Sequence, residues 1–318
     1  MNIADPGPSL RSPPGAPDRS VAGLPLVPQR HYGRWATALL VIAVLALLGR
    51  AFANAQIDWG VVGHYLTATA LFHGFLHTLL VTAAAMLLGL ALGVVFAVMR
   101  LSHNPVTSGV AWLYVWVFRG TPVLLQILLW FNLSVVFPTL GIPGLFHAST
   151  ISVITPFVAA LLALGVNEGA YLTEIIRGGI MSVDEGQEEA ATALGLSRMQ
   201  SLRTIIIPQA MRVIVPTLGN ETIGMLKTSS LVSVIGYTEL LNQAQNIYNL
   251  NDRIIELLIV AAAWYLLATS ILSTGQYYLE RRMGRSLQRA RPRASVERLF
   301  IHIVGLVSAR VRGAGQSK

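Results

Sequence analysis

SVDEGQEEAATALGLSRMQSLRTIIIP, residues 182–208, is the longest polar, charge-bearing interval between two hydrophobic segments of this chain. Ser182 and Glu185 have the S-x-x-E spacing that caps a helix N-terminus, because each side chain can bind one unpaired backbone N–H. The glutamates and alanines that follow favour helix. Gly195 can then supply the left-handed residue that ends the helix.

The second half of the stretch repeats the pattern. Ser197 and Gln200 again have capping spacing, and a second short helix is predicted from there to Pro208. Two short helices joined at a glycine elbow, outside the bilayer and between two spans, predict a docking surface for another protein. An ordinary interfacial loop is the alternative interpretation.

The composition places the chain in a membrane. It has 318 residues, a mean hydropathy of +0.59, 53% hydrophobic residues and only 12% charged residues, which is the balance of a polytopic membrane protein. The net charge of +8 comes from basic residues that crowd the two ends and a few loops. That distribution fits membrane orientation and gives no reason to expect a nucleic-acid partner. The chain has no cysteine, which excludes disulfides and thiolate metal sites.

Six apolar segments predict an all-α, polytopic membrane helix bundle with about six transmembrane helices. The predicted spans are residues 35–53, 75–99, 122–137, 152–176, 216–240 and 254–279. Before the third span, residues 106–118 carry interfacial aromatic residues and predict an elbow helix along the membrane. Thr121 is expected to cap the third span and Pro122 to lie in its first turn.

The loops set the predicted orientation. Residues 54–74, 138–151 and 242–253 hold a single Lys or Arg, Arg253, and are expected outside the cell. Residues 1–34 are rich in Pro, Gly, Ser and Arg and predict a disordered cytoplasmic tail. The basic residues of 281–318 predict a second cytoplasmic tail, so both termini are expected inside.

Catalytic and nucleotide-binding motifs are missing from the sequence. It contains no H-E-x-x-H, no nucleophile elbow and no G-x-x-x-x-G-K-[ST], so an energy source would have to lie in another polypeptide. His73 and His77 lie four residues apart, a spacing compatible with a metal, but no third ligand accompanies them. We expect no catalytic residue, metal or cofactor in this chain.

Polar residues within spans are costly and usually face a bundle interior or a water-filled path. Pathway lining is predicted for a set in the fourth and fifth spans: Asn167, Glu168, Tyr171, Glu174, Asn220, Glu221, Lys227, Thr228 and Ser229. Hydrogen bonds and ion pairs between helices are the alternative. Charges of both signs suggest a zwitterionic or charged solute. In the second span, Gly89 and Gly93 form a G-x-x-x-G step that predicts close approach of another helix.

A resemblance to a known family lies within this polar stretch. The sequence EAATALG (189–195), followed after nine residues by IIIP (205–208), resembles the EAA loop of the membrane subunits of bacterial ABC importers, with Ile207 in place of the usual Leu. The resemblance implies that residues 182–208 form coupling helices that sit in a groove of an ATPase subunit. The residues it assigns to coupling are Glu188, Glu189, Ala190, Ala191, Gly195, Leu196 and Pro208.

Three further stretches are similar to the polar amino-acid branch of these permeases: FRGTPVLLQ (118–126), AYLTEIIRGGI (170–180) and KTSSLVSVIGYTEL (227–240). The first contains the motif residues Arg119, Gly120, Thr121 and Pro122. The matches cover about residues 70–280. They imply a five-helix type I permease core, to which the first span and both tails are additions.

The resemblance implies the permease subunit of an ATP-driven amino-acid importer in a bacterial inner membrane. Its implied partners are ABC ATPase subunits that use ATP and Mg, a second permease (the same chain or a paralogue), an extracytoplasmic amino-acid-binding protein and membrane lipid. Glu168 stands where the family often has a small residue. A carboxyl group there would favour a cationic amino acid, or would pair with an arginine.

Three other functions fit parts of the pattern. An ion-gradient-driven secondary transporter of a polar solute would use the same polar spans without ATP. A membrane scaffold would recruit a cytoplasmic partner through residues 182–208 and move no solute. A membrane enzyme is the least favoured, because the sequence has no catalytic constellation.

Overall fold

The computed structural model describes residues 32–55, 57–142 and 146–283, and the chain divides into two compact units, Met1–Ile57 and Asp58–Lys318. The first unit contains helix α1 (Tyr32–Asn54), which matches the predicted first span and starts three residues earlier. Most of the predicted N-terminal tail (1–34) and of the C-terminal tail (281–318) lies outside the described residues.

The described part of the second unit is built from helices and a pair of short strands. In chain order it comprises α2 (Trp59–Leu66), α3 (Thr69–Arg100), α4 (Pro105–Gly120), α5 (Val123–Phe131), α6 (Leu133–Val136), β1 (Thr139–Ile142), β2 (Phe146–Ser149), α7 (Thr150–Val153), α8 (Pro156–Met181), α9 (Glu185–Ala193), α10 (Arg198–Ser201), a π-helical turn (Leu202–Ile206), α11 (Ile207–Thr228), a 3₁₀ segment (Ser229–Ile235), α12 (Leu240–Asn251) and α13 (Ile254–Met283).

Within the described residues, four helices are long and apolar enough to cross a membrane: α1, α3, α8 and α13. A fifth span results if α4 and α5, which meet at an angle of 101°, are counted as one. The bend falls where the elbow between residues 106–118 and the third span was predicted. The span predicted for residues 216–240, the fifth in chain order, coincides with the later part of α11 and the 3₁₀ segment. Its many polar residues keep it below the hydropathy of the other spans.

The segments predicted as outer loops are more regular than expected. Strands β1 and β2 pair in antiparallel fashion, with Thr139 opposite Ser149. Residues 242–253, predicted as a loop, lie mostly in α12. Apolar residues of α12 at helical spacing, including Leu240 and Ala244, are buried against α3 and α13. The prediction missed this helix because its exposed face is so rich in asparagine and glutamine.

Glu239 is the residue that anchors α12. Its side chain is fully buried and accepts the backbone N–H groups of Leu241 and Asn242 at 2.8 and 2.7 Å, which caps the helix. The same carboxyl group accepts the hydroxyls of Thr78 on α3 (3.4 Å) and Tyr265 on α13 (2.7 Å). One carboxylate therefore ties three helices together at the predicted outer end of the bundle.

Glycines bring α3 and α8 together, as the G-x-x-x-G step predicted. An added Cβ at Gly93 would lie 2.7 Å from Leu172 Cβ, so the close approach is confirmed. A second step, Gly165 and Gly169 on α8, was missed. An added Cβ at Gly169 would lie 2.8 Å from Leu92 Cβ and 2.5 Å from Tyr114 Oη. Glycines on both helices thus let the two backbones approach each other.

Candidate solute pathway and coupling elbow

A cavity of about 440 Å³ lies where the α4–α5 bend meets α8 and α11. It brings together the FRGTP motif and five of the nine residues predicted to line a pathway. The lining residues are Arg119, Gly120, Thr121, Pro122, Val123, Asn167, Glu168, Tyr171, Glu221, Gly224, Met225 and Thr228. Stretches up to 109 residues apart in sequence thus line one cavity with both polar and apolar groups.

The charged groups of the cavity come from three helices. The guanidinium of Arg119, at the end of α4, lies 4.9 Å from the centre of the Tyr171 ring on α8, a cation–π contact. Glu168, also on α8, is only 6% exposed, and its Oε1 has no hydrogen-bond partner among the described residues. Glu221 contributes a second carboxyl group from α11. A buried polar atom without a partner is costly, so a hydrogen-bond donor that reached the free oxygen of Glu168 would be stabilising.

Side-chain hydrogen bonds hold the α4–α5 bend. Thr121 was predicted to cap the third span, but its hydroxyl donates backwards to Val117 O (2.9 Å), so it serves the end of α4. Pro122 occupies the N-cap position of α5 instead. Phe118 O accepts two amide groups, from Gln126 Nε2 at 3.0 Å and from Asn167 Nδ2 at 2.7 Å. These side chains satisfy carbonyl groups that a helix end leaves unpaired.

Four of the predicted pathway residues lie outside this cavity. Glu174 binds two arginines, Arg100 Nε at 3.3 Å and Arg177 Nη2 at 2.7 Å, near the end of α8. Asn220 donates to Glu280 Oε1 at 3.4 Å on α13. The remaining two are Lys227, which is exposed, and Ser229, which is buried and donates to Leu226 O at 2.7 Å. For Glu174 and Asn220 the structure shows the helix–helix contacts that were the alternative expectation.

Sequence reasoning missed three lining residues, Val123, Gly224 and Met225. The last two follow Glu221 by three and four residues, so helical periodicity around that carboxylate was a usable signal. Gln126 was also overlooked as an individual residue, although it ends the FRGTPVLLQ stretch.

The elbow of residues 182–208 has the predicted two-helix form with a different first cap. Asp184 is the N-cap of α9 and accepts Gly186 N at 2.9 Å. Ser182 instead closes α8, where its hydroxyl donates to Gly179 O. Predicting Ser182 and Glu185 as the capping pair was therefore wrong, because α8 extends five residues further than expected.

The end of α9 confirms the predicted role of Gly195. Its φ is +76°, in the left-handed region. Gly195 N donates to Thr192 O (2.9 Å) and Leu196 N to Ala191 O (3.1 Å), which is the Schellman pattern. The Ser197–Gln200 capping box that begins α10 is also present. Both sides of the elbow are thus closed by defined caps.

The second helix of the elbow does not end at Pro208. Helical backbone continues from α10 through the π-helical turn into α11, with Pro208 in the first turn of α11. Proline has no N–H to give to a carbonyl four residues earlier, and the wider turn directly before it accommodates that missing bond. Gln209 Nε2 donates to Ile205 O at 3.0 Å and to Gln187 Oε1 on α9 at 3.3 Å. The elbow is therefore bound directly to the start of α11.

The residues assigned to coupling lie around this elbow. Ala191, a residue of α9, is fully buried. Glu188, Glu189 and Ala190 are exposed, and the acidic pair faces an open groove together with Glu185. Beside Gly195, the apolar side chains of Leu194 and Met199 are 78% and 70% exposed. The elbow thus presents an acidic face and two uncovered apolar side chains.

Comparison with known proteins gives a consistent result. The profile of the family described as "Binding-protein-dependent transport system inner membrane component" matches residues 86–285. The arginine transport system permease protein of Corynebacterium glutamicum is 44% identical over 276 residues, which cover 86% of this chain and 87% of the relative. The glutamine transport system permease protein of Escherichia coli is 35% identical over 229 residues, covering 72% and 98%.

Solved structures show the same fold. A chain from the crystal structure of an amino acid ABC transporter with histidines superposes with a TM-score of 0.63 at 38% identity, covering 72% of this chain and 100% of that chain. A chain of an inward-facing methionine ABC transporter superposes with a TM-score of 0.56 at 18% identity, covering 68% and 97%. The second likeness concerns the fold alone.

Proposed function

Since the chain belongs to the family of binding-protein-dependent transport system inner membrane components, we infer that it is the permease subunit of an ATP-driven amino-acid importer. It is a multi-pass membrane protein, and ATP hydrolysis takes place in a separate chain. The observation that carries the solute assignment is the cavity, which places one guanidinium and two carboxyl groups within a membrane-spanning bundle.

We propose that the cavity is part of the solute pathway and that its preferred solute is a cationic amino acid. Arg119 can bind the carboxylate that every amino acid carries. Glu168 and Glu221 then remain for the amino group and a positively charged side chain. The unpartnered oxygen of Glu168 would accept a hydrogen bond from that side chain. The arginine transport permease of C. glutamicum, the relative at 44% identity, supports this choice.

We propose further that the elbow couples this cavity to the ATPase. Helix α8 carries Glu168 and Tyr171 on the cavity and leads directly into α9, while α11 carries Glu221 and begins at the other end of the elbow. Both cavity-lining helices are thus attached to the elbow by continuous helix or by a short capped turn. An ATPase that moves the elbow would move both walls of the cavity, provided that the connection stays rigid.

The assembly that follows contains two permease subunits, this chain with a copy or a paralogue. Two ATPase subunits use ATP and Mg on the cytoplasmic side, and an amino-acid-binding protein delivers solute outside. Both termini of this chain lie in the cytoplasm in this arrangement, which places α9 and α10 on the side of the ATPase. We propose the domain boundaries on the same grounds. The permease core comprises residues 70–280, the extra helix residues 35–53, and the two tails residues 1–34 and 281–318.

The test is uptake in proteoliposomes that contain the purified complex and the binding protein, with labelled arginine and unlabelled glutamine as competitor. We expect uptake to require ATP and to favour arginine. Glu168→Gln should reduce the preference for arginine about tenfold or more, the size of a hydrogen bond to a charged group. Glu280→Gln, an exposed carboxylate outside the cavity, is the matched control and should leave the preference unchanged.

Two results would contradict the proposal. Uptake driven by an ion gradient without ATP would identify a secondary transporter. An unchanged preference in both Glu168→Gln and Glu221→Gln would remove the cavity from solute selection.

A further inference from the structure

One buried amide, Gln126, binds the α4–α5 bend without lining the solute cavity. Gln126 is 4% exposed and lies on α5, on the side that faces an apolar cavity of about 270 Å³. Its Nε2 donates to three oxygens of the bend: Phe118 O (3.0 Å), Thr121 O (3.2 Å) and Thr121 Oγ1 (2.8 Å). Carbonyl oxygens can only accept, which fixes the amide nitrogen on this side.

The three oxygens flank the cationic residue of the cavity. Arg119 lies directly after Phe118, and two residues later comes Thr121. Asn167 on α8 donates to the same Phe118 O at 2.7 Å, and the ring of Tyr171, one helical turn further along α8, lies against the Arg119 guanidinium. The backbone on both sides of Arg119 is therefore pinned by Gln126, while its side chain rests on α8.

Because Oε1 of Gln126 has no hydrogen-bond partner among the described residues, the amide acts in the bend only as a donor. A carboxylate at this position would keep the shape of the side chain but would face the three oxygens with acceptors. Phe118 O would keep only its bond from Asn167, and Thr121 O would lose the donor from Gln126. Because the carboxylate itself would be buried beside these acceptors, the change costs more than the loss of one surface hydrogen bond.

We propose that Gln126 is a positioning residue for Arg119: by binding the backbone on both sides of Arg119, it fixes where the guanidinium meets the carboxylate of the solute. This inference rests on the proposed function of the cavity. It assigns solute affinity to a residue that never touches the solute, and it gives a physical reason for glutamine at the end of the FRGTPVLLQ stretch.

The test is a double-mutant cycle on the assembled transporter, with Arg119→Gln, Gln126→Glu and both together. Gln126→Glu should raise the KM for amino-acid uptake about tenfold and leave kcat and the yield of complex unchanged. If Gln126 acts through Arg119, the double variant should have the KM of Arg119→Gln alone, since the two losses are then not additive. Asn132→Asp is the matched control. This amide also donates to a carbonyl of α5, Leu128 O at 2.9 Å, but it is exposed and lies at the end of α5 opposite to the bend. It should behave as wild type.

The outcomes separate the two proposals. If Arg119→Gln leaves KM unchanged, the proposed role of the cavity fails and this inference fails with it. If Arg119→Gln raises KM but Gln126→Glu does not, or if the two effects add, only the positioning role is overturned. Gln126→Met fills the same space without a hydrogen-bond donor, so it provides a second variant if Gln126→Glu does not fold. If neither Gln126 variant assembles, the residue has a purely structural role and the inference is refuted.

Discussion

Replacing Gly195 with valine tests whether the elbow must be rigid to couple ATP hydrolysis to uptake. The residue has a φ of +76°, and an added Cβ would find nothing within 4 Å, so the cost of a side chain is entirely conformational. Holding an L-residue in the left-handed region costs about 1–2 kcal/mol, and a β-branched residue fits there least well.

That conformational cost is as large as the free energy that a single capping interaction of the elbow contributes. An N-cap such as Ser197 contributes about 1 kcal/mol, and α10 has only four residues before the π-helical turn. A penalty of about 1–2 kcal/mol lowers the ratio of elbows with the left-handed backbone at residue 195 to elbows without it by a factor of about 5–30. We therefore expect Gly195→Val to insert into the membrane normally and to lose at least about fivefold in uptake per ATP hydrolysed, by the same arithmetic.

The assay is uptake and ATP hydrolysis measured together in proteoliposomes, with two controls. Gly195→Asn should retain most coupling, because asparagine tolerates the left-handed region. Gly178→Val tests a valine on nearby α8, where an added Cβ also meets nothing within 4 Å but the backbone is helical; it should couple normally. Normal coupling by Gly195→Val would refute the reasoning. An equal loss with asparagine would show that the surface of the elbow matters and its backbone conformation does not.

Two further predictions concern stability. Gly169→Val should destabilise the bundle by about 1–3 kcal/mol, because the new Cβ would lie 2.5 Å from Tyr114 Oη and 2.8 Å from Leu92 Cβ. Thermal unfolding in detergent should therefore show a lower midpoint. Gly109→Ala, at a position with open space around it, should leave the midpoint unchanged. Glu239→Gln should cost about 1–3 kcal/mol, since its amide nitrogen would face a backbone N–H at the cap of α12. A melting temperature equal to that of wild type would show that the capping carboxylate does not stabilise α12.

Much of this architecture could be predicted from sequence because its causes are local. Apolar length identifies α3, α8 and α13 as spans, since the bilayer core sets the number of residues that a helix needs. Gly195 and the Ser197–Gln200 pair identified one end of each elbow helix, because caps depend on residues only a few positions apart. The close approach at Gly89 and Gly93 also followed from spacing on a single helix face.

What the sequence left undecided depends on contacts between distant segments. Which polar residues share a cavity could not be read from spacing, so Asn167, Glu168 and Tyr171 were predicted together with Glu174, whose carboxylate instead pairs with Arg100 on α3 and Arg177 on its own helix. The cap of α12 also depends on distant contacts, since the buried Glu239 is held by Thr78 and Tyr265, 161 and 26 residues away.

Local periodicity therefore determined where the helices lie and how several of them end. Only the tertiary structure decided which side chains meet: Phe118 O receives its two amide donors, Gln126 and Asn167, from separate helices. The physical reason is that a buried polar group is stable only when a partner reaches it. In a bundle of long helices that partner often comes from another part of the chain.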